Sequence, residues 1–490
     1  MSQETQSSEL IKQRLSKLKR LQKEGKTTFA YSFKGKQEIS SVIEENKDLQ
    51  PQESGKNAKV AGRLTALREH GKVIFADLTD ASAKIQLYAA ANVLDKKFEE
   101  FADLDIGDIA GFEGQVFQTR RGELSLKIEN FELLTKSIRP LPEKWHGLKN
   151  VETRFRQRYL DLLANPKVRE IFKIREIALR TIRNFLSDND FSEVDTPILQ
   201  PLYGGATARP FVTHHNALDR DLYLRIAPEL YLKRLLIGNM EKVFELGRNF
   251  RNEGLSIKHN PEFTMLEVYQ AYADYEDMLL LTENLLKEVV DKATGSLKIT
   301  YQERKIDFSK FKTMTMIGSI EKIGGIKVSF DMSLKELKKI AEDNEIKVQD
   351  YWGKGHLVNA IFEKTVEHQL IQPTFITDFP TEISPLAKVS PTDPNIAERF
   401  ELIVFGREMA NAFSELTDPI EQRKRFEEQK KTENRREVPQ TIDEDFIKAL
   451  EYGMPPAGGL GVGVDRLLML LTDSYSIKEV ILFPHLRTLE

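Results

Sequence analysis

Residues 247–269 read GRNFRNEGLSIKHNPEFTMLEVY. This segment gathers Arg248, Arg251, Glu253, His259, Glu262 and Glu267, with Phe250 and Phe263 among them. Phe244–Phe250 and Phe263–Tyr269 have the composition of strands. Gly254 and Asn260-Pro261 are turn signals within a polar loop over 252–261. The pattern predicts two antiparallel strands that hold arginines beside acidic groups and an aromatic face. Guanidinium forks suit phosphate oxygens and a flat ring suits a base, so such a hairpin fits a nucleoside triphosphate. An ordinary charged hairpin has the same local composition, and remote partners must decide between the two.

The bulk of the chain sets limits. Its 490 residues allow two to four domains with a sizeable core. A hydrophobic content of 40% with 30% charged residues is a soluble globular composition. No apolar run approaches the ~18 residues of a membrane span. The N-terminus, MSQETQSSELIKQR, has no apolar core of a secretory signal. There is no cysteine, which excludes disulfides and thiolate zinc sites and fits a cytoplasmic protein. Net charge is −4, so any nucleic-acid binding rests on local basic surface.

Working outward toward the N-terminus, Leu10, Ile11, Leu15, Leu18 and Leu21 recur at helical spacing beside Lys12, Arg14, Lys17, Lys19 and Arg20. A basic amphipathic helix is expected within residues 1–26, suited either to a phosphate backbone or to packing on a neighbour. Residues 32–56 are polar and weakly patterned. Five strand candidates follow: Ala58–Leu67, Val73–Leu78, Lys84–Ala89, Ile109–Gln118 and Leu124–Leu134, with a helix at Val93–Phe101. Five strands with a helix between the third and fourth match a small oligonucleotide-binding barrel, the OB-fold. Phe75 could stack on a base, Gln86 and Glu123 could read base edges, and Arg63 and Arg68 could hold phosphates. Each of these alone is an ordinary strand residue; only the set suggests binding.

Arg139-Pro140-Leu141-Pro142 marks a junction. Asn165-Pro166 reads as a helix start, and a long helix with one apolar face should run to about Leu186. Phe191–Pro197 is a short strand stopped by proline. Gly204-Gly205 offers bare backbone to a ligand, although no Walker loop or Rossmann fingerprint is present. Pro228-Glu229 opens a helix through Ile237, and residues 270–296 are helical. Residues from about 307 to 371 form a lysine-rich insertion, with a capping box at Ser333 and Glu336. Strands are expected at Thr374–Thr377, Phe400–Phe405 and Glu408–Glu415, and charged helices over 418–433 and 443–450. Gly458–Arg466 is a glycine-rich strand feeding a helix, which would set Arg466 over a phosphate-sized ligand.

Three of these segments agree with one family. Phe191–Pro197 resembles motif 1 of the class II aminoacyl-tRNA synthetases, Phe250–Glu253 through Glu262-Phe263 resembles motif 2, and Gly459–Arg466 resembles motif 3. With the barrel ahead of them, the chain resembles the lysine, aspartate and asparagine subgroup, over about residues 57–487. Arg225-Ile226-Ala227-Pro228-Glu229 stands where the aspartate and asparagine enzymes carry a glutamine-rich segment, and it resembles the bacterial-type lysine enzymes. The resemblance implies an α+β protein. It consists of a basic helix and lead-in over 1–56, an OB-fold anticodon-binding domain over 57–138 and a linker over 139–165. A catalytic domain over 166–490 follows, built on an antiparallel sheet flanked by helices.

The implied reaction is ATP-dependent ligation of L-lysine to tRNA(Lys) through lysyl-adenylate, releasing AMP and pyrophosphate. Arg251 and Arg466 are the implied catalytic groups. The implied lysine site is Gly205, Glu229, Arg251, Glu267, Tyr269, Asn411 and Glu415, since a desolvated ammonium needs acidic partners. The implied ATP site is Arg251, Glu253, His259, Asn260, Phe263, Glu401, Glu408 and Arg466, with Phe263 under adenine. Glu401 and Glu408 resemble carboxylates that hold Mg2+. Arg63, Phe75, Gln86 and Glu123 are the implied anticodon contacts. A homodimer is implied, and no membrane or DNA partner. The alternatives are an aspartyl- or asparaginyl-tRNA synthetase, and a lysine ligase acting on protein; the barrel argues against the last.

Overall fold

The computed structural model describes residues 3–141, 150–206, 208–433 and 442–487. Part of the expected junction over 139–165, and Thr207 of the loop after Gly205, lie outside them. Two compact units divide the chain, Met1–Gly147 and Leu148–Glu490.

The first unit is a closed five-stranded barrel of Ser54–His70, Val73–Thr79, Lys84–Ala90, Ile109–Gln118 and Leu124–Thr135. Strand alternation explains it. Ile74, Ala76, Leu78, Ile85 and Leu87 point into the core, while Phe75, Gln86 and Tyr88 alternate with them on the outer face. The helix expected at Val93–Phe101 is two short pieces, Ala91–Leu94 and Lys97–Ala102, because Asp95 between them has φ +47°. Residues 32–56, too weakly patterned to assign from sequence, contain the helix Ile39–Glu45, whose Ile39 and Val42 enter the barrel core.

The N-terminal helix Gln3–Lys23 packs on this barrel through much of its basic side. Arg14 is buried and donates to the carbonyls of Ile106 (2.8 Å) and Arg139 (3.2 Å). Lys17 reaches Asp105 at 3.1 Å, and Arg20 pairs with Asp103. Of the two uses left open for the basic face, packing on a neighbour is the one that Arg14, Lys17 and Arg20 serve.

The second unit is organised on an eight-stranded sheet. Its six inner strands, Thr374–Pro380, Ile396–Ile403, Glu408–Ser414, Ala457–Gly463, Glu262–Ala271 and Lys242–Phe250, are antiparallel neighbours in that order. Parallel strands Lys312–Thr315 and Ser192–Glu193 close its two edges. One face packs on the helices Pro166–Asp188, Tyr275–Thr294 and Val464–Leu471 through Leu266, Val268, Leu460 and Val462. Cutting a leucine in such a core to alanine costs about 2–5 kcal/mol. Pro166 begins the long helix as expected. The Asn165 side chain, however, does not cap that helix; it donates to Asp161 at 2.5 Å.

The insertion is less self-contained than its sequence suggests. Lys312–Thr315 joins the main sheet, and the helices Met316–Lys322 and Lys354–Thr365 share a core with Ile376, Phe379 and Ile403 of that sheet. The Ser333–Glu336 capping box is present on Leu334–Asp343. No helix of the described residues is long and apolar enough to cross a membrane.

Candidate active site

The opening hairpin forms as expected, slightly longer, pairing Lys242–Phe250 with Glu262–Ala271. Strand pairing then brings distant residues into line. Glu401 lies opposite Asn411, Asn411 opposite Gly461, Gly461 opposite Glu267, and Glu267 opposite Glu245. The neighbouring row on the same face is Arg399, Phe413, Gly459 and Tyr269. Period-2 alternation turns Gly459, Gly461 and Gly463 toward this face, with Leu460 and Val462 in the core. The middle strand thus lacks side chains where its neighbours carry their polar groups. A Cβ on Gly459 would collide with the Glu415 carboxylate, and one on Gly461 would stand 2.8 Å from the Met265 methyl.

Above this floor is a cavity of about 360 Å³. The expected residues Gly205, Glu229, Arg251, Glu253, His259, Asn260, Phe263, Glu267, Tyr269, Glu408, Asn411 and Arg466 all line it. Glu401 and Glu415 are not among the lining residues; they lie behind Arg399 and Gly459 respectively.

At one end, three carboxylates are buried together: Glu229 is 6% exposed, Glu267 4% and Glu415 0%. Gly205, at φ +82°, makes room for this corner, since its Cβ would stand 3.0 Å from that of Glu229. Tyr269 donates its hydroxyl to Glu267 at 3.2 Å. Burial, reinforced by Glu229, pushes the Glu267 carboxyl up to about 8. Glu415 is also raised well above the usual range, by burial in the first place. One cation sits among them. Lys233, wholly buried, places its ammonium 2.7 Å from Glu229 and in contact with Glu415. Burial pulls that ammonium down, but Glu229 and Glu415 outweigh it and the net shift is upward.

Arg251 stands at the middle. Its backbone N–H donates to the Pro261 carbonyl at 2.8 Å, which closes the hairpin loop. Its guanidinium lies 5.1 Å over the Phe263 ring, and its buried Nε has no hydrogen-bond partner among the described residues. Such a donor calls for an acceptor from outside the chain. Burial lowers the Arg251 pKa despite Glu253, Glu408 and Glu267 nearby. His259 is lowered too, by burial and by Arg466. Asn260 lines the cavity, but its amide is largely spent on structure: it donates to the Glu262 carbonyl at 2.6 Å and accepts from the His485 N–H at 3.2 Å.

At the other end, Arg466 enters from the first turn of Val464–Leu471 and donates to the Glu408 carbonyl (2.8 Å) and carboxylate (3.2 Å). The preceding Asp465 fixes that turn. It pairs with Arg175 at 2.6 Å and accepts the Thr264 N–H at 2.7 Å, tying the long helix to the hairpin. The Glu401 carboxyl is pushed up to about 7 by burial and by Glu408, although Arg399 donates to it at 2.5 Å. A buried carboxyl raised by a second carboxylate beside it fits a divalent cation, whose charge would favour its ionised form.

Sequence reasoning missed Lys233, Arg399, Asp465 and the alternation of the glycines. Lys233 had a signal, since it stands four residues after Glu229 on one helix, where side chains meet. Arg399 had none; it depends on sheet pairing.

The barrel has a second polar and aromatic face. His70, Phe75, Tyr88 and Phe117 form a chain of edge-to-face rings with successive centroids 6.2, 5.4 and 5.5 Å apart. Gln86 lies on the same face and accepts from Ser125 at 3.0 Å; Glu123 is exposed at the start of the adjoining strand. Arg63 donates to the Gly107 carbonyl at 2.7 Å and is half-buried, so its guanidinium is partly committed within the barrel. Arg68 pairs with Asp77 at 2.7 Å.

Comparison with known proteins agrees with this division. Residues 150–487 match the family of tRNA synthetases class II (D, K and N), and residues 58–134 match the OB-fold nucleic acid binding domain. A lysine–tRNA ligase of Carboxydothermus hydrogenoformans is 51% identical over 482 residues, 98% of each chain. One of Moorella thermoacetica is 50% identical over 485 residues, again 98% of each chain. One of Bacillus subtilis is 47% identical over 497 residues, 99% of this chain and all of the relative.

Proposed function

The chain belongs to the lysine–tRNA ligases, within the class II tRNA synthetases, and from that premise we propose how its site selects lysine and joins it to tRNA. It is a lysine–tRNA ligase that uses ATP, passing through lysyl-adenylate. The lysine carboxylate attacks the α-phosphorus of ATP and pyrophosphate leaves. A ribose hydroxyl of the tRNA 3′-terminal adenosine then attacks the carbonyl of the mixed anhydride, and AMP leaves. Neither step needs a protein nucleophile; placement and charge stabilisation suffice.

The observation that carries the lysine reading is a count of buried charge. Three carboxylates, Glu229, Glu267 and Glu415, share one internal ammonium, that of Lys233. With all three ionised, two negative charges are left over; lysine brings two ammonium groups, which favour the charged forms of Glu267 and Glu415 against their burial. Glu229 takes the α-ammonium, and Glu267 with Glu415 takes the ε-ammonium, helped by Tyr269 and Asn411. An aspartate or asparagine side chain offers no cation here and would leave buried acids unpaired, at several kcal/mol.

Arg251, beside this pocket, takes the substrate carboxylate and then the α-phosphate, using the donor left free in its buried guanidinium. Phe263 stacks under the adenine, Arg466 with Arg251 holds phosphates, and Glu253, His259 and Asn260 line the nucleotide. Glu401 and Glu408 would hold Mg2+, which supplies charge neutralisation for the ATP phosphates. The barrel face of Phe75, Gln86 and Glu123 receives the anticodon, with Arg63 at its edge. The protein acts as a homodimer in the cytoplasm. Exposed Ile198, Leu199, Val212 and Leu218, grouped on and beside one small three-stranded sheet, suit a subunit contact. Charging of lysine tRNA with labelled lysine tests the function. Lysine-dependent product with release of one AMP per charged tRNA is expected, and charging with aspartate in place of lysine would overturn it.

A further inference from the structure

We infer that Lys233 is a positioning residue that sets the length of diamino acid the pocket accepts, by pinning Glu229 and Glu415 at a fixed separation. This rests on the lysine reading above. Its ammonium is 2.7 Å from one Glu229 oxygen and touches one Glu415 oxygen, so one buried cation bridges the carboxylates assigned to the two ends of the substrate.

Both residues are fixed at the backbone, which leaves the separation of their carboxylate ends to Lys233. Glu229 is the first residue of the helix Glu229–Ile237 and packs against Gly205. Glu415 lies under the bare backbone of Gly459, and its own N–H donates to the Ala457 carbonyl at 2.8 Å. Lys233 itself cannot swing away. It is 0% exposed, its helix carries Glu229 one turn earlier, and the Phe413 ring lies 5.5 Å from its ammonium. Without Lys233 the two acids would repel each other and separate, and the pocket would lose its fixed span. A fixed span matches lysine and misfits ornithine, whose side chain is one methylene shorter.

The experiment compares wild type, Lys233→Met and Lys233→Arg as full chains in ATP–pyrophosphate exchange driven by lysine and by ornithine, with thermal melts to establish folding. In Lys233→Met the ratio of kcat/KM for lysine over ornithine falls by about tenfold or more, the scale of one-methylene discrimination. The lysine KM rises while the ATP KM stays within about twofold of wild type. Lys233→Arg keeps the charge but changes the reach, so its lysine KM lies nearer to wild type and its ratio still falls. A folded variant that loses activity equally on both amino acids, with the ratio unaltered, overturns the inference. If Lys233→Met does not fold, the ratio in Lys233→Arg decides alone. Wild type that shows no lysine-driven exchange would count instead against the lysine reading itself.

Discussion

Glu401 and Asn411 face each other across adjacent strands, and Arg399 bonds both, at 2.5 Å and 3.1 Å. The side chain that orders Glu401, in the proposed magnesium site, therefore also orders Asn411, in the proposed lysine site. Arg399 is held by the Ile383 carbonyl and Ser384 hydroxyl and lies 4.5 Å over Phe379. Arg399→Met should raise the lysine KM and the magnesium requirement together, by about 10–100-fold as for other groups that orient ligands. Glu401→Gln should raise the magnesium requirement alone. Exchange rates with lysine and magnesium varied in turn would separate the two; a magnesium effect alone in Arg399→Met contradicts the shared role.

Lysine binding should strengthen as pH rises from about 6 to 8. The Glu267 carboxyl sits at about 8, raised from 4.5 by burial, with Glu229 reinforcing and Arg251 opposing. An ammonium partner favours the charged form, so binding expels a proton and affinity gains up to about tenfold per pH unit below 8. The same shift bears on stability. A raised carboxyl favours the folded state fully below pH 4.5, and that contribution is lost as pH rises through about 8. Saturating lysine should therefore raise the melting temperature more at pH 8 than at pH 6. Calorimetric titration in two buffers of different ionisation enthalpy would measure the released proton, and no release near pH 7 would contradict the assignment.

The glycines of the floor should separate by substrate. Gly459→Ala drives a methyl into the Glu415 carboxylate and to 2.6 Å from the Tyr269 ring, so lysine affinity should collapse before ATP affinity does. Gly463→Ala meets nothing closer than Arg466 at 3.5 Å, so it should fold normally and weaken ATP instead. Equilibrium binding of lysine and of ATP to both variants would show the crossover. Equal effects on both ligands would contradict the division of the floor.

Much of this could be read from residues in order, and the limits have physical causes. The hairpin, the barrel strands and the long helix announce themselves through period, turn residues and Pro166, because those signals are local. Phe191–Pro197 was legible as extended chain, yet only Ser192–Glu193 pairs as strand, since pairing depends on the neighbour rather than on Val194 or Asp195. Glu229 and Glu415 could be named, but not the fact that Lys233 already occupies part of their charge. That follows from a helix meeting a strand nearly two hundred residues later in the chain. Arg63 illustrates the converse: its place on a barrel strand was clear, and its bond to the Gly107 carbonyl was not.

On the barrel, Phe75→Ala and Tyr88→Ala should each slow charging of tRNA while leaving lysine-dependent exchange nearly intact. Base stacking on an aromatic is worth about 1–3 kcal/mol, or roughly 5- to 150-fold in tRNA affinity. Tyr88 is included because its ring stands 5.4 Å from Phe75 and continues the aromatic face. Filter binding and charging kinetics would test this; equal losses in exchange and charging would place these rings in folding rather than recognition.

The claim that the buried pocket is charge-matched to a doubly cationic substrate is tested most directly by ATP–pyrophosphate exchange on the wild-type chain with lysine, norleucine, aspartate and asparagine. Norleucine has the reach of lysine without the ε-ammonium. Exchange with lysine, and none above background with the other three, is the result expected. Exchange driven by aspartate or asparagine, or by norleucine as readily as by lysine, would contradict it.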